Sequence, residues 1–221
     1  INDYMRALSM GNDYFPAEED PALIKTTFAH YPKSYNEWFF QRTAWWMALR
    51  KLKREISINY LQADPKKITQ KMNALKNDYL NSEKTDILPD LTIPLLDYEK
   101  SLRKFAALTK QLDKKSIWLT QPVIWQENMD EFTKTLGTPM IANKNLNHYS
   151  PKALFQGMER YNERLKKVAQ EEDIPVVDLS KILPKDTTVF YDYCHFNILG
   201  NAQVNEAVYP TLLEMMKEVR E

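Results

Sequence analysis

Apolar residues recur at helical spacing in several segments of the chain. Asp64-Pro65 and Ser150-Pro151 each combine an N-cap residue with a proline suited to the first helical position. Behind each pair lies one apolar helical face: Ile68, Met72, Leu75 and Tyr79 in the first case, and Leu154, Met158, Tyr161, Leu165 and Val168 in the second. Both segments are therefore predicted to be helices, the second over about residues 151–172.

Four further helices follow from the same signals. Asp20-Pro21 repeats the start signal. The apolar stripe from Trp38 to Ile56 predicts another helix, and a third is expected from about Leu95 to Leu112. The last helix should begin near Leu199, with Pro210 as a kink or a restart.

Two short apolar runs predict buried strands, at Ser116–Gln121 and at Ile174–Leu179. The helix over 151–172 lies between them, so the order is strand, helix, strand. A crossover of this kind joins parallel strands. Two parallel strands alone do not form a stable sheet covered on both faces. The first 110 residues offer almost no strand signal, so the protein is either mostly helical with a vestigial sheet or has further strands before Ile1. We favour the second interpretation.

Composition narrows the classes of function. The 221 residues include 30 Lys+Arg and 30 Asp+Glu, and this balance argues against a generic nucleic-acid binder. No apolar run approaches the roughly 18 residues that a membrane span requires. The 4 glycines are too scattered for a dinucleotide fingerprint or a phosphate-binding loop, and Cys194 alone gives neither a disulfide nor a cysteine zinc site. We expect no metal and no cofactor.

The most informative stretch runs from Val189 to Asn201. Asp192 and His195 lie three residues apart in a loop that follows a predicted strand and precedes the last helix. A carboxylate at this spacing can bind the imidazole Nδ1 and leave Nε2 as a general base, an arrangement commonly used to deprotonate a serine. The alternative is a structural histidine among aromatic residues, because an Asp-x-x-His spacing also arises by chance.

The segment from Tyr161 to Met215 resembles the C-terminal part of the SGNH, or GDSL-type, serine hydrolases. The resemblance rests on Tyr161-Asn162, Val176–Leu179, Leu183-Pro184, Phe190–Asn197 and Gly200-Asn201, with Thr120-Gln-Pro122 after the earlier strand. Members of that family carry the catalytic Asp and His in such an Asp-x-x-His loop. The resemblance thus implies that His195 is the general base and then the general acid, and that Asp192 orients it.

The start of the chain offers a second similarity. Asn2-Asp3 would complete the Gly-x-Asn-Asp motif of the family if a glycine preceded Ile1. The resemblance then implies that the Asn2 amide donates to the oxyanion; a disordered terminal residue is the alternative.

The implied fold is α/β, a flavodoxin-like three-layer sandwich with a parallel sheet of about five strands, of which this chain holds the last two. Residues 1–221 would form a single domain of this type. Residues 14–90 are interpreted as a helical insertion or lid within it. The aromatic stripe around Trp45 in that insertion is expected to be core rather than part of the site.

The nucleophile departs from the family pattern, because the sequence contains no Gly-Asp-Ser. We assign the role to none of its serines and expect the nucleophile upstream of Ile1, in the same segment as the absent strands. Cys194 is expected to be a small buried residue rather than a nucleophile.

The resulting expectation is a serine hydrolase that acts on ester bonds, with a small-molecule ester or an acylated carbohydrate or lipid as substrate. Three alternatives stay open: an acyltransferase of the same fold, a non-catalytic relative that binds a carbohydrate or a partner, and a helical interaction protein. No nucleic-acid partner is expected. The compartment and oligomeric state are undetermined, although an anchor before Ile1 would favour an extracytoplasmic or membrane-attached location.

Overall fold

A computed structural model describes residues 2–11, 14, 65–138 and 149–218 of the chain. The chain divides into two compact units, residues 17–73 and the remainder. The described helices are α1 (Asn2–Met10), α2 (Pro65–Asn81), α3 (Thr92–Gln111), α4 (Glu131–Leu136), α5 (Pro151–Glu171), α6 (Leu179–Ile182) and α7 (Ile198–Glu218). The described strands are β1 (Trp118–Leu119) and β2 (Val176–Val177).

The two strands pair in parallel, as the strand-helix-strand order predicts. Trp118 lies opposite Val176, and Leu119 lies opposite Val177. Helix α5 forms the crossover between them. Each strand is shorter than the apolar run that predicts it.

Helix α5 begins and packs as the sequence predicts. The Ser150 side chain accepts a hydrogen bond from the Ala153 N–H, which satisfies one of the unpaired donors of the first turn. All five residues of the predicted apolar face are buried: Leu154, Met158, Tyr161, Leu165 and Val168. The predicted period therefore identifies the face of α5 that packs into the core.

Other helix predictions have mixed outcomes. Helices α2 and α3 confirm the helix expected after Asp64-Pro65 and the one expected over about 95–112, and α3 begins three residues early. Helix α7 continues through Pro210, so the helix does not restart there. A proline removes one helical hydrogen bond, and the helix retains bonds on both sides of that position. The predicted helix over 38–56 and the start signal at Asp20-Pro21 lie outside the described residues.

The core brings α1 against α5 at one close contact. The Tyr4 ring is fully buried, and its hydroxyl donates to the Leu154 carbonyl over 2.9 Å. Gly157 makes room for that ring, since a Cβ at this position would stand 2.2 Å from the Tyr4 oxygen. The sequence did not predict α1, because its first residues were interpreted as a motif.

The described part of the chain is a helix-rich mixture of α and β structure around a small parallel sheet, which is compatible with the α/β class. None of the described helices combines the length and apolarity needed to span a bilayer.

Candidate functional site

A tight hairpin between β2 and α7 carries the candidate site. Phe190 and Phe196 form an antiparallel bridge. Within the hairpin the Tyr191 N–H donates to the His195 carbonyl over 3.1 Å, and the Asn197 N–H donates to the Val189 carbonyl over 2.9 Å. These bonds hold the intervening residues in one conformation.

Asp192 is fixed by its own loop. One of its carboxylate oxygens, Oδ1, accepts the backbone N–H groups of Cys194 and His195 over 2.9 and 2.8 Å. Aspartate favours turns because its side chain can satisfy backbone donors two and three residues ahead in this way. The second oxygen, Oδ2, is thereby directed at the side chain of His195.

The predicted pair forms directly. His195 Nδ1 lies 2.7 Å from Asp192 Oδ2. A carboxylate can only accept, so Nδ1 carries the proton and donates it to this bond. Nε2 of the neutral ring is then a lone-pair acceptor, and it makes no hydrogen bond to any of the described residues. The contact with Asp192 favours the tautomer that a general base requires.

His195 is open to solvent while its partner is more protected. The side chain of His195 is 59% exposed and that of Asp192 is 21% exposed. The Tyr191 ring stacks beside the imidazole with centroids 5.8 Å apart, and the Tyr193 ring meets it edge-on at 6.4 Å. The rings of Tyr191 and Tyr193 therefore help the carboxylate to orient the imidazole.

The hairpin is anchored to the segment that follows β1. The Ile124 N–H donates to the Tyr193 carbonyl over 3.1 Å. Trp125 is fully buried and stacks on the Tyr193 ring. The pair thus lies beside the loop that leaves the carboxyl end of a parallel strand, which is where α/β sheets place their ligands.

Polar side chains tie the carboxyl ends of the two strands to each other. The Thr120 hydroxyl donates to Asp178 Oδ1 over 2.9 Å, and it accepts the Ser180 N–H over 2.9 Å. Burial acts to raise the pKa of Asp178, but hydrogen bonds from Ser180, Thr120 and Lys166 outweigh it and hold the pKa below its ordinary value.

Asn162 closes the edge of β1. Its Oδ1 accepts the Gln121 N–H over 2.8 Å, and its Nδ2 donates to the Gln121 carbonyl over 3.0 Å. The side chain is buried, so it replaces the partner strand that those two backbone groups would otherwise need. Sequence reasoning quoted Asn162 without a role, because a side chain that mimics a strand leaves no periodic signal.

Asn2 is the first residue of α1. Its side chain lies outside what the structure describes, so its oxyanion role stays a prediction. Two residues later, the Tyr4 ring meets Trp125 edge-on at 6.4 Å. Tyr4, Trp125 and Tyr193 therefore form a continuous series of aromatic contacts from the first turn of α1 to the hairpin.

Cys194, between Asp192 and His195 in the sequence, is buried as expected. Its Sγ lies 3.5 Å from His195 Nδ1. Burial raises the pKa of the thiol to about 12, and the Asp192 charge acts in the same direction. The free thiol is therefore protonated near neutral pH and does not fit the role of an activated nucleophile.

Several described serines donate their hydroxyls to oxygens away from the pair. The acceptors are carbonyls or carboxylates for Ser9, Ser82, Ser101, Ser150 and Ser180. That the nucleophile is none of these serines stays a prediction. Of the other three serines, Ser116 lies two residues before β1, and Ser34 and Ser57 lie outside the described residues.

Neither family models nor curated proteins nor solved structures give a match to this chain.

Proposed function

We propose that this protein is a serine hydrolase of the SGNH type that cleaves ester bonds through an acyl-serine intermediate. One observation carries the proposal: the 2.7 Å bond from His195 Nδ1 to an Asp192 carboxylate that two backbone N–H groups hold in place. A fixed carboxylate, a single tautomer and an exposed imidazole are what a general base needs.

In this proposal His195 takes the proton of a serine hydroxyl at Nε2 as that oxygen attacks the ester carbonyl. His195 then returns the proton to the leaving alkoxide, and the cycle repeats with water. Asp192 stabilises the imidazolium formed in between. Asn2 would donate its amide to the oxyanion. The serine itself is proposed to lie upstream of Ile1, within a larger flavodoxin-like sheet.

The aromatic surroundings favour an apolar or ring-shaped substrate group. Tyr191 is 58% exposed and lies directly beside the His195 ring. An exposed aromatic face at this position can pack against an acyl chain or against the apolar face of a sugar. The substrate class is therefore an ester of a small molecule, a lipid or a carbohydrate.

A serine-directed fluorophosphonate probe tests the proposal. The protein with its complete upstream sequence should be labelled, and His195→Ala should lose at least about 99% of the labelling rate, since general-base catalysis contributes 10²–10⁴-fold. Mass spectrometry of the adduct should place the probe on a serine before Ile1.

Two results would count against the proposal. Equal labelling of the wild type and His195→Ala would remove the assigned base. A folded complete protein with no labelling and no esterase activity would favour the non-catalytic binding alternative.

A further inference from the structure

Three different metal-ligating side chains meet at the candidate site. Asp192, Cys194 and His195 each offer one donor atom, and these atoms all lie within 4.8 Å of one another. The carboxylate and the thiol both approach the same ring nitrogen, Nδ1, over 2.7 and 3.5 Å. General-base chemistry uses the carboxylate contact and leaves the thiol without a function.

One of the three separations matches a small tetrahedral cation, and the other two would change when the metal binds. Zinc bonds of about 2.3 Å to sulfur and about 2.1 Å to nitrogen, set at the tetrahedral angle, place the two donors about 3.6 Å apart. The observed separation of Sγ and Nδ1 is 3.5 Å. The carboxylate oxygen and the nitrogen, 2.7 Å apart, would need to separate to about 3.4 Å. The oxygen and the sulfur lie within 4.8 Å of each other and would need to be about 3.6 Å apart. The first change is a fraction of an ångström along the exposed His195 side chain, and the second falls to the Cys194 and Asp192 side chains.

The donor set also selects the type of metal. Thiolate and imidazole are soft or borderline ligands that favour Zn²⁺, whereas Mg²⁺ and Ca²⁺ prefer sets made only of oxygen. Three protein ligands leave the fourth tetrahedral position to water.

We propose that Asp192, Cys194 and His195 form a zinc site that competes with the hydrogen bond between Asp192 and His195. Binding displaces the thiol proton of Cys194 to solvent, and a sulfur–zinc bond replaces the S–H bond. The Nδ1 proton moves to Nε2, so that the Nδ1 lone pair can bind the metal. The ring keeps one proton throughout, and one proton is released per zinc bound.

The move of the His195 proton from Nδ1 to Nε2 would make zinc a regulator of catalysis. With Nε2 protonated and Nδ1 bound to metal, His195 has no lone pair with which to accept a serine proton. Zinc therefore inhibits the hydrolase reversibly; this consequence rests on the proposed function, while the metal site itself does not.

Cobalt(II) provides the first test, as a spectroscopic substitute for zinc in the untagged protein. Cys194 is the one cysteine of residues 1–221, so a sulfur-to-cobalt charge-transfer band from this chain reports its thiolate directly. We expect one equivalent of Co²⁺ to give that band together with tetrahedral visible absorption. Excess Zn²⁺ should abolish both signals, and excess Mg²⁺ should leave them unchanged. Bound cobalt without the band would overturn the site.

Variants assign the ligands. Cys194→Ser and His195→Ala should each weaken zinc affinity by at least about tenfold in calorimetric titration, a modest loss for a metal site. His195 is exposed, so its variant tests the site even if the buried Cys194→Ser fails to fold. Replacing both other histidines, His30 and His148, with alanine is the matched control and should retain wild-type affinity. Loss of binding in that control, with unchanged affinity in His195→Ala, would place the metal elsewhere.

Activity then separates this inference from the proposed function. Zn²⁺ should slow fluorophosphonate labelling at least about tenfold, and a chelator should restore the rate. An active hydrolase that shows neither the cobalt band nor zinc binding overturns the metal site alone. A protein with the cobalt band but no labelling in metal-free buffer overturns the hydrolase alone.

Discussion

The indole of Trp125 stacks on the phenol ring of Tyr193, with ring centroids 5.4 Å apart and ring planes 6° from parallel. Trp125 follows β1, and Tyr193 lies between the two residues of the candidate catalytic pair. The indole Nε1 also donates to the Gly137 carbonyl over 2.6 Å. One buried side chain therefore connects the strand's carboxyl-end loop, the end of α4 and the Asp192–His195 hairpin.

Trp125→Ala should destabilise the protein by about 3–5 kcal/mol, because it leaves a large cavity in the core. Trp125→Phe should destabilise the protein less, since it keeps an aromatic ring beside Tyr193. Its loss of the indole hydrogen bond should lower the free energy of unfolding by about 1 kcal/mol, in addition to the change in packing. Chemical denaturation measures both. Phe132→Ala is the control: this side chain is 67% exposed, and its loss should change stability by no more than about 0.5 kcal/mol. Similar costs at Trp125 and Phe132 would contradict the anchoring role.

Gly200→Ala should also destabilise the protein, by about 1–3 kcal/mol. A Cβ on Gly200 would stand 2.3 Å from the Val189 carbonyl oxygen, which belongs to the base of the hairpin. Alanine ordinarily stabilises a helix relative to glycine, so a loss of stability in Gly200→Ala reports the steric clash. Asn205→Ala, at an exposed position of the same helix, should be neutral or stabilising. Thermal unfolding compares the two, and a stabilised Gly200→Ala would contradict the close approach.

Asn162→Leu should lower the free energy of unfolding by more than the loss of its side-chain hydrogen bonds alone. It leaves the half-buried Gln121 N–H and carbonyl without their side-chain partner, at up to about 1–3 kcal/mol for each group. Hydrogen exchange should show faster exchange of the Gln121 amide. The comparison is Asn81→Ala, an exposed asparagine whose Nδ2 donates within its own helix to Asn77. Unchanged Gln121 exchange in Asn162→Leu would contradict the strand-like role.

Asp178 should give the protein a distinct sensitivity to acid. Its pKa is held below the ordinary value in the folded state, as the hydrogen bonds from Ser180, Thr120 and Lys166 outweigh burial. The ionised form therefore contributes stability that is complete above the unfolded pKa of about 3.9 and is lost as pH falls through the folded value.

The test is denaturant unfolding at a series of pH values. Asp178→Asn should be less stable than wild type near pH 7 and should lose less stability on acidification below about pH 4. Asp113→Asn, an exposed aspartate after α3, should follow the wild-type profile. Parallel profiles for wild type and Asp178→Asn would remove Asp178 from the acid response.

The spacing of apolar residues predicted the long helices well, because that spacing reflects the burial of one helical face. The buried face of α5, its Ser150 cap and the parallel pairing of β1 with β2 all follow from such local signals. The proximity of Asp192 and His195 was also predictable, since three residues in a turn constrain where both side chains can lie. That the pair acts in an ester hydrolase stays a prediction.

Long-range contacts escaped sequence reasoning. The stacking of Trp125 on Tyr193 joins residues 68 positions apart, and nothing in either segment marks the other. Helix α1 was missed because its first residues were interpreted as an oxyanion motif. Cys194 is buried as expected, but spacing alone does not show that its sulfur faces the imidazole.

Ester hydrolysis by the complete protein and its Asp192→Asn variant tests the central claim most directly. Asparagine keeps the shape but cannot hold the Nδ1–H tautomer, so kcat for a short-chain p-nitrophenyl ester should fall by about 10²–10⁴-fold with the fold intact. Asp186→Asn is the matched control, because Asp186 caps its own turn at Thr188 in the same segment and should retain wild-type kcat. Equal kcat values for wild type and Asp192→Asn would contradict the assignment of Asp192 and His195 as a catalytic pair.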